Sequence, residues 1–268
     1  MGLGQDYISI TRSHADELRT LVRDSAEREA TRTFVIEGPH LLQRASEDAP
    51  HLVRELIVTE KALEVYSDLI QLFARKKVGI QVASPKLAEL ISDTKSPQGI
   101  FAVVEMPDAD ESESPGDIVI ALDDVQDPGN VGTIIRSAAW FGAEQVYLSD
   151  GCADPYSPKV VRATQGEIFS VSVGNRGRLL EKLVYLHSKG YQVVCATLEQ
   201  SACSLYEMTF ATKMVIVFGS EAHGVSNAIL QMADAKLVIP KYGAGESLNV
   251  AMSAAVILSE IARKRSTK

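Results

Sequence analysis

The sequence predicts an α/β protein in two parts, the second of which contains a parallel β-sheet. Apolar runs of strand length alternate with segments of helical periodicity along most of the chain, which is typical of α/β folds. The run at 214–220 is almost entirely apolar, as in strands that are buried on both faces of a parallel sheet. Between two such alternating regions, residues 105–116 are acidic, contain two prolines and have almost no apolar side chains. That stretch is therefore expected to be a linker.

The first region, residues 1–106, is expected to form a small α/β domain. Residues 13–30 have the periodicity of one helix. A short buried strand at 34–36 leads to a turn at Gly38, and Pro39 suits the first position of the next helix. The remaining elements alternate as strand, helix, strand, helix and strand, at 56–59, 61–77, 79–82, 85–91 and 99–105.

The second region, residues 117–268, follows the linker at 107–116 and repeats the alternation. Strands are expected at 117–124, 145–149, 168–173, 191–197, 214–220 and 236–240. Helices are expected at 130–141, 158–164 and 176–188, shortly after Gly224, and from 247 onward. Ser247 is the expected N-cap of the last helix, because its hydroxyl can accept a hydrogen bond from a free amide of the first turn.

Composition indicates a globular protein of the cytoplasm. The chain has 268 residues, of which 46% are apolar and 23% charged. No apolar run approaches the roughly 18 residues that a membrane span needs, and the first residues lack the order of a signal peptide. The three cysteines have no paired spacing and are expected to be reduced and mostly buried. His223 has no second ligand at metal-binding spacing, so no metal is expected.

The charge distribution argues against strong non-specific binding to nucleic acid. The net charge is −8; residues 1–116 carry 13 basic and 20 acidic residues, and residues 117–268 carry 14 and 15. A polyanionic partner would therefore have to be held by local basic patches. The candidates are the run 75–77 and the arginines at 12, 19, 23, 28 and 32. Solvated helix faces are the alternative interpretation of both patches.

Unusual residues follow three strands of the predicted parallel sheet, where ligands of open α/β sheets bind. Asn130 and Arg136 lie in the helix after the first strand. Arg136 is expected on the buried side of that helix, where it needs an anionic ligand or an ion pair with Asp124. The other two strands lead to Gly219, Glu221 and Gly224, and to a glycine-rich turn before Ser247 and Asn249. No GxGxxG or P-loop motif accompanies them, so a nucleotide-phosphate site is not expected.

These three stretches, in this order, carry a resemblance to a known family. The sequences NVGTIIRSAAWFG from 130, VFGSEAHG from 217 and IPKYGAGESLNVAMSAA from 239 resemble the three motifs of TrmH-like ribose 2′-O-methyltransferases of the SPOUT superfamily. RATQGEIFSVSV from 162 is also similar to that family. FVIEGPHLLQRA from 34 and QGIFAVVE from 98 resemble the small ribosomal-protein-like RNA-binding domain that precedes the catalytic domain in many members.

The resemblance implies a fold, a cofactor and a partner. It implies a deep trefoil knot formed by the last strands and the C-terminal helix, a homodimer packed through the knot region, and S-adenosylmethionine bound in the knot. By motif position, the cofactor would be bound by Thr197, Gly219, Ser220, Gly224, Ile239 and Leu248. The catalytic and RNA-facing positions would be Asn130, Arg136, Glu221, Ser247 and Asn249. Lys241 departs from the family pattern, which usually has an apolar residue there.

The implied reaction is transfer of a methyl group to a ribose 2′-hydroxyl of RNA. In it, Arg136 would hold the target phosphate and stabilise the developing alkoxide, because a guanidinium stays protonated. Asn130, Ser247 and Asn249 would orient the ribose and Arg136, and Glu221 would fix the loop. By analogy, large-subunit ribosomal RNA is the first expected substrate and transfer RNA the second. An RNA-binding protein without catalysis, or a small-molecule enzyme with an acidic accessory domain, remains an alternative.

Overall fold

A computed structural model gives the fold and describes residues 7–107, 115–199 and 201–266. The chain forms two compact units: one ends at Pro107 and also includes Tyr156–Phe169, and the other contains the remaining described residues. Most of the expected linker at 107–116 lies outside the described residues, because residues 108–114 are not described. Within the described part, no helix combines the length and apolarity that crossing a bilayer requires.

The first unit contains a five-stranded mixed sheet with the strand order β1-β4-β3-β5-β2. Strand β5 runs antiparallel to both of its neighbours, and the other pairs are parallel. The elements of this unit are β1 (Ile8–Ser9), α1 (Arg12–Arg23), α2 (Ser25–Thr31), β2 (Thr33–Glu37), α3 (Pro39–Asp48), β3 (Val53–Val58), α4 (Glu60–Val65), α5 (Ser67–Arg75), β4 (Gly79–Val82), α6 (Pro85–Ile91), β5 (Ile100–Glu105) and α8 (Pro158–Thr164).

The single helix expected over 13–30 is wrong, since the structure has two helices that meet at Asp24. The Asp24 side chain accepts a hydrogen bond from the Ala26 amide at 2.9 Å and caps α2. Arg28 of α2 is buried and donates to the carbonyls of Leu21 (2.5 Å) and Val22 (3.1 Å), which end α1. Arg28 therefore completes the fold, and it cannot belong to an exposed RNA-binding patch.

The helix expected over 61–77 is also two helices in the structure. They meet at Tyr66, whose amide donates to the Ala62 carbonyl at 2.9 Å and closes α4. The Tyr66 carbonyl then accepts from the Ile70 amide at 3.0 Å and opens α5. The apolar periodicity continues across this junction, so the pattern alone could not show the break.

The second unit confirms the parallel sheet that the sequence predicts. Its seven strands have the order β10-β12-β9-β11-β6-β7-β8, and every pair is parallel. The elements are β6 (Ile118–Asp123), α7 (Pro128–Trp140), β7 (Gln145–Ser149), β8 (Ser172–Gly177), α9 (Leu179–Ser188), β9 (Gln192–Ala196), β10 (Cys203–Ser204), β11 (Met214–Gly219), α10 (Asn227–Met232), β12 (Ala235–Val238) and α11 (Val250–Ser266).

Helices cover both faces of this parallel sheet. Helices α9 and α10 pack Leu183, Leu186 and Ile229 against Val193 and Val215 of the central strands. Because successive strand residues point to opposite faces, the alternate apolar residues of the same strands face the other side. That side is covered by α7 and α11, which pack against each other. The apolar runs of the central strands are thus buried on both faces.

The strand expected at 168–173 is wrong in position. The chain forms a short 3-10 turn at Glu167–Phe169, and β8 runs from Ser172 to Gly177. Gln165 and Gly166 both have positive φ, 54° and 93°, and reverse the chain after α8. The apolar side chain of Ile168 is buried in this turn, which explains the strand-like pattern. Helix α9 consequently begins at Leu179, three residues later than the predicted start.

The last helix begins at Val250, and Ser247 is not its N-cap. The Asn249 side-chain oxygen accepts hydrogen bonds from the amides of Ala251 (2.9 Å) and Met252 (3.2 Å). Asparagine is as good an N-cap as serine, and Asn249 directly precedes the first helical residue. Ser247 is exposed two residues further out.

Candidate functional site

Four neighbouring parallel strands end at the same edge of the second sheet and bring several predicted site residues to it. The strands are β12, β9, β11 and β6, in that order. Ile239 and Thr197 directly follow β12 and β9, and Gly219 is the last residue of β11. Gly219 pairs in register with Asp123, the last residue of β6. Parallel strands expose their carboxyl ends together, so three predicted cofactor-binding residues share one edge.

The loop after β11 is folded tightly onto the strand end. A Cβ added to Gly219 would lie 2.0 Å from the carbonyl carbon of Gly224 and 2.1 Å from the amide nitrogen of Val225. Gly224 has φ 68°, and its amide donates to the Ser220 carbonyl at 2.9 Å. The Ser226 amide donates to Asp123 Oδ2 at 2.8 Å and ties the loop to β6. Only glycine fits at 219, because the loop backbone packs directly against the end of β11.

Three of the predicted catalytic residues form one hydrogen-bonded chain. Asn130 Nδ2 donates to Glu221 Oε1 in a short hydrogen bond. Asn249 Nδ2 donates to Asn130 Oδ1 at 2.9 Å. Asn130 itself is positioned by the N-cap of α7, where Asp127 Oδ1 accepts from the Asn130 amide at 2.9 Å. The chain thus links the start of α7, the loop after β11 and the start of α11.

Arg136 is exposed, so the expected position on the buried side of its helix is wrong. It lies six residues after Asn130 on α7, which turns it to a different side of the helix. In the part of the chain that the structure describes, its guanidinium forms no hydrogen bond or ion pair. The expected alternative partner, Asp124, accepts instead from Gln126 Nε2 at 3.2 Å. Arg136 is therefore available to an anion from outside the chain.

Ser247 and Leu248 lie in a segment that leaves the sheet edge. All nine residues of 241–249 are exposed, and Leu248 and Tyr242 are 55% and 88% exposed. Asn249 alone in this segment is anchored to α7, through Asn130. Ser220, by contrast, is buried, and its hydroxyl accepts from the His223 amide at 3.2 Å inside the loop.

Several polar residues at this edge were not predicted from the sequence. Asp123 and Asp127 position the loop and α7, and the Asp-Pro pair at 127–128 is a helix-start signal that could have revealed Asp127. Lys236 Nζ donates to both carboxylate oxygens of Glu199 at 2.9 Å. That ion pair joins β12 to the segment after β9. The two residues are close because β12 and β9 are neighbours in the sheet, and no local sequence pattern shows that neighbourhood.

The donor groups at the edge suit a nucleoside cofactor better than a metal. Exposed apolar side chains at Leu198 and Leu248 can cover a base, and the backbone of Gly224 is open to close approach, since nothing lies within 4 Å of where a Cβ would stand. Among the residues described, no group of three or more His, Cys, Asp or Glu is arranged to hold a metal ion. Burial raises the pKa of the nearby Cys195 thiol to about 12, so Cys195 stays protonated.

Comparisons with known proteins match both parts of the chain. The family model described as SpoU rRNA Methylase family matches residues 117–259. A second model, described as RNA 2′-O ribose methyltransferase substrate binding, matches residues 35–109. The matches meet near the acidic stretch, in the order expected for an accessory domain followed by a catalytic one.

Individual relatives of the chain are named as RNA 2′-O-methyltransferases. The chain is 36% identical to the 23S rRNA (guanosine(2553)-2′-O)-methyltransferase RlmP of Bacillus subtilis, over 87% of this chain and 89% of the relative. It is 29% identical to the tRNA (guanosine(18)-2′-O)-methyltransferase of Aquifex aeolicus, over 57% of this chain and 72% of that one. The crystal structure of AviRb from Streptomyces viridochromogenes in complex with AdoMet superposes with a TM-score of 0.83 at 27% identity, covering 96% and 100% of the two chains.

Proposed function

The chain belongs to the SpoU rRNA methylase family, and on that premise we propose a substrate and a set of residue roles for it. It is an RNA methyltransferase that transfers a methyl group from S-adenosylmethionine to a ribose 2′-hydroxyl. When bound, S-adenosylmethionine supplies a methyl group that is already activated on a sulfonium sulfur. The protein's own task is to align the two reactants and to help remove the hydroxyl proton.

The hydrogen-bonded chain of Asn130, Glu221 and Asn249 is the observation that carries the assignment of roles. In our proposal, Asn130 and Asn249 orient the ribose, and Glu221 holds the loop after β11 in place through Asn130. These groups are fixed before any substrate binds, because each side chain is held by another element. Preorganised polar groups of this kind lower the barrier without reorganising during the reaction.

The proposed cofactor site lies along the edge that β12, β9 and β11 share. Thr197, Gly219 and Ile239 would bind S-adenosylmethionine at the strand ends. Ser220 and Gly224 would bind it through backbone groups, since the Ser220 hydroxyl is already used in the loop. Leu248, which is 55% exposed, would cover the base. Lys241, where the family pattern usually has an apolar residue, is exposed.

Arg136 is proposed to hold the phosphate of the target nucleotide. Arg136 is exposed and has no anionic partner among the described residues, so a phosphate can take that place. A guanidinium remains protonated and donates in a fixed fork, which suits phosphate oxygens and a developing alkoxide. Ser247, which is also exposed, would contact the ribose from the segment 241–249.

We further propose that the protein is a homodimer with a trefoil knot in its catalytic domain. The paired helices α7 and α11 expose large apolar side chains: Trp140 is 82%, Met252 66% and Val256 38% exposed. An exposed apolar face of this kind suits a second copy of the chain, which would bury it. Arg136 lies on the exposed side of α7, so the second copy would border the catalytic site.

We propose large-subunit ribosomal RNA as the substrate and the cytoplasm as the location of the protein. The similarity to RlmP extends over 87% of the chain, whereas the similarity to the tRNA enzyme covers 57%. Only the former is long enough to include most of both units. The RNA-binding role of the first unit fits a large structured RNA.

The substrate is tested by methylation of RNA fractions from cells that lack the protein. Ribosomal RNA and transfer RNA are purified separately and incubated with the enzyme and labelled S-adenosylmethionine. We expect label in large-subunit ribosomal RNA. Label in transfer RNA alone would contradict the proposed substrate while leaving the reaction type intact.

A further inference from the structure

A row of basic and aromatic side chains runs along one side of α9. Four side chains share one side of the helix, because they are spaced four, three and four residues apart: Arg178, Lys182, Tyr185 and Lys189. Lys182 Nζ lies 4.7 Å from the ring centre of Tyr147 and 5.7 Å from that of Tyr185. Lys189 Nζ lies 5.4 Å from the ring centre of Tyr185. We refer to Arg178, Lys182, Tyr185 and Lys189 as the α9 row.

The α9 row is a positive surface in an acidic protein. Residues 176–189 contain four Lys or Arg and one Glu, whereas the whole chain has a net charge of −8. The one acid, Glu181, accepts from Arg178 at 2.9 Å, with side chains that are 69% and 80% exposed. Exposed pairs of this kind are weak and are screened by salt, so a phosphate can compete for Arg178.

The aromatic contacts restrain the lysines. A lysine side chain normally loses considerable freedom when it binds a phosphate. Lys182 and Lys189 both lie close to the Tyr185 ring, which attracts their ammonium groups and limits their motion. Side chains that are restrained in advance lose less entropy when they bind a ligand.

The row starts at the edge of the sheet that carries the catalytic site. Arg178 directly follows β8, and Asn130 lies in the helix that follows β6. A single strand, β7, separates β6 from β8, so the two strand ends are about 10 Å apart. From Arg178 to Lys189, the row extends about 16 Å along α9, away from this edge.

We propose that the α9 row binds the phosphate backbone of the RNA that flanks the target nucleotide. The proposal rests on the RNA methyltransferase function and extends it from the target nucleotide to the path of the neighbouring strand. Lysine and arginine bind phosphates without reading the base sequence. The row would therefore contribute affinity and orientation, and the selection of the nucleotide would remain with the catalytic edge.

The test compares two exposed lysines, of which only Lys189 belongs to the α9 row. Lys189 and Lys213 are both exposed, and each lies about the same distance over a tyrosine ring, 5.4 Å for Lys189 and 5.5 Å for Lys213. Binding of a short polyuridylate and of a large-subunit ribosomal RNA fragment is measured at several salt concentrations. We expect Lys189→Glu to weaken both about three- to tenfold and to lower the salt dependence by about one phosphate contact. We expect Lys213→Glu to change neither the affinity for these RNAs nor its salt dependence.

Equal effects of the two substitutions, or no effect of either, would overturn the proposal. Binding of S-adenosylhomocysteine, measured by calorimetry, controls for folding; if Lys189→Glu fails this control, Lys189→Gln replaces it with the same expected direction. If the Lys189→Glu variant bound RNA as the wild type does but no longer bound an acidic protein, RNA would also be rejected as the partner of the α9 row. Failure of the wild-type enzyme to bind S-adenosylhomocysteine or to methylate RNA would contradict the function itself, which separates the two conclusions.

Discussion

Arg136 is the residue whose chemistry matters most to the proposed reaction, because it is cationic, exposed and close to the proposed dimer face. Arg136→Ala should lower the turnover rate about 10²- to 10³-fold, the loss typical when a donor to a developing oxyanion is removed. Binding of S-adenosylhomocysteine should not change. Arg136→Lys should restore only a small part of the activity, since an ammonium lacks the planar fork. Near-full activity of the lysine variant would rule out a special role of the guanidinium.

The contact between Asn130 and Glu221 gives a second prediction at the scale of single residues. Asn130→Asp replaces the amide donor with a carboxylate that faces Glu221, so the two acids repel each other and the loop loses its hydrogen bond to α7. We expect activity at least tenfold below wild type at about pH 8, where both carboxylates are charged. As the pH falls, one shared proton restores the hydrogen bond, so the ratio of variant to wild-type activity should rise.

The matched control for that experiment is Thr133→Ala. Thr133 lies on the same helix and is exposed, and it is not part of the hydrogen-bonded chain. The Thr133→Ala variant should retain wild-type activity at every pH. If the Asn130→Asp variant kept wild-type activity under the same alkaline conditions, the contact with Glu221 would have no functional importance.

At the scale of elements, two residues near the start of α11 are expected to have different roles: Asn249 caps the helix, and Ser247 faces the substrate. Asn249→Ala removes the N-cap and should lower the free energy of unfolding by about 1 kcal/mol. Ser247→Ala should change it by less than about 0.5 kcal/mol, because Ser247 is exposed. Both should lower methyl transfer. Chemical denaturation measures the free energy of unfolding of each variant. A larger loss for Ser247→Ala than for Asn249→Ala would show that the N-cap of α11 has been wrongly assigned.

The agreement between predicted and observed bounds also differs between elements. Strand β7 and helices α6 and α8 have the predicted bounds, because strong apolar periodicity and prolines mark them. The break at Asp24 was not predicted, since it depends on buried Arg28 reaching carbonyls six and seven residues earlier. The strand at 168–173 was misplaced because a buried turn residue looks like a strand residue.

The site, like the fold, could be predicted from the sequence only in part. Asn130, Glu221 and Asn249 could be selected from the sequence, since polar residues after apolar strands and at helix starts are visible there. Their mutual hydrogen bonds could not, because the spacing of 91 residues between Asn130 and Glu221 is bridged only by the strand order. The exposure of Arg136 was missed for a related reason: periodicity identifies an apolar helix but not which side a second subunit would cover.

For the whole molecule, the exposed face of α7 and α11 predicts the oligomeric state. Val256→Glu should convert the dimer to a monomer and abolish methyl transfer, because a charge would be buried at the interface. Val184→Glu is the control for the mass alone and should leave the dimer intact, since Val184 is 54% exposed on α9, on the opposite side of the sheet. Sedimentation velocity measures the mass. A wild-type monomer with full activity would refute the proposed dimer.

The most direct test of the central claim is methyl transfer from labelled S-adenosylmethionine to total RNA from cells that lack the protein, with wild type and Arg136→Ala compared. We predict label in RNA with the wild type only, recovered as a 2′-O-methyl nucleoside after complete digestion. Label recovered on a base, or equal labelling by the Arg136→Ala variant, would contradict this prediction.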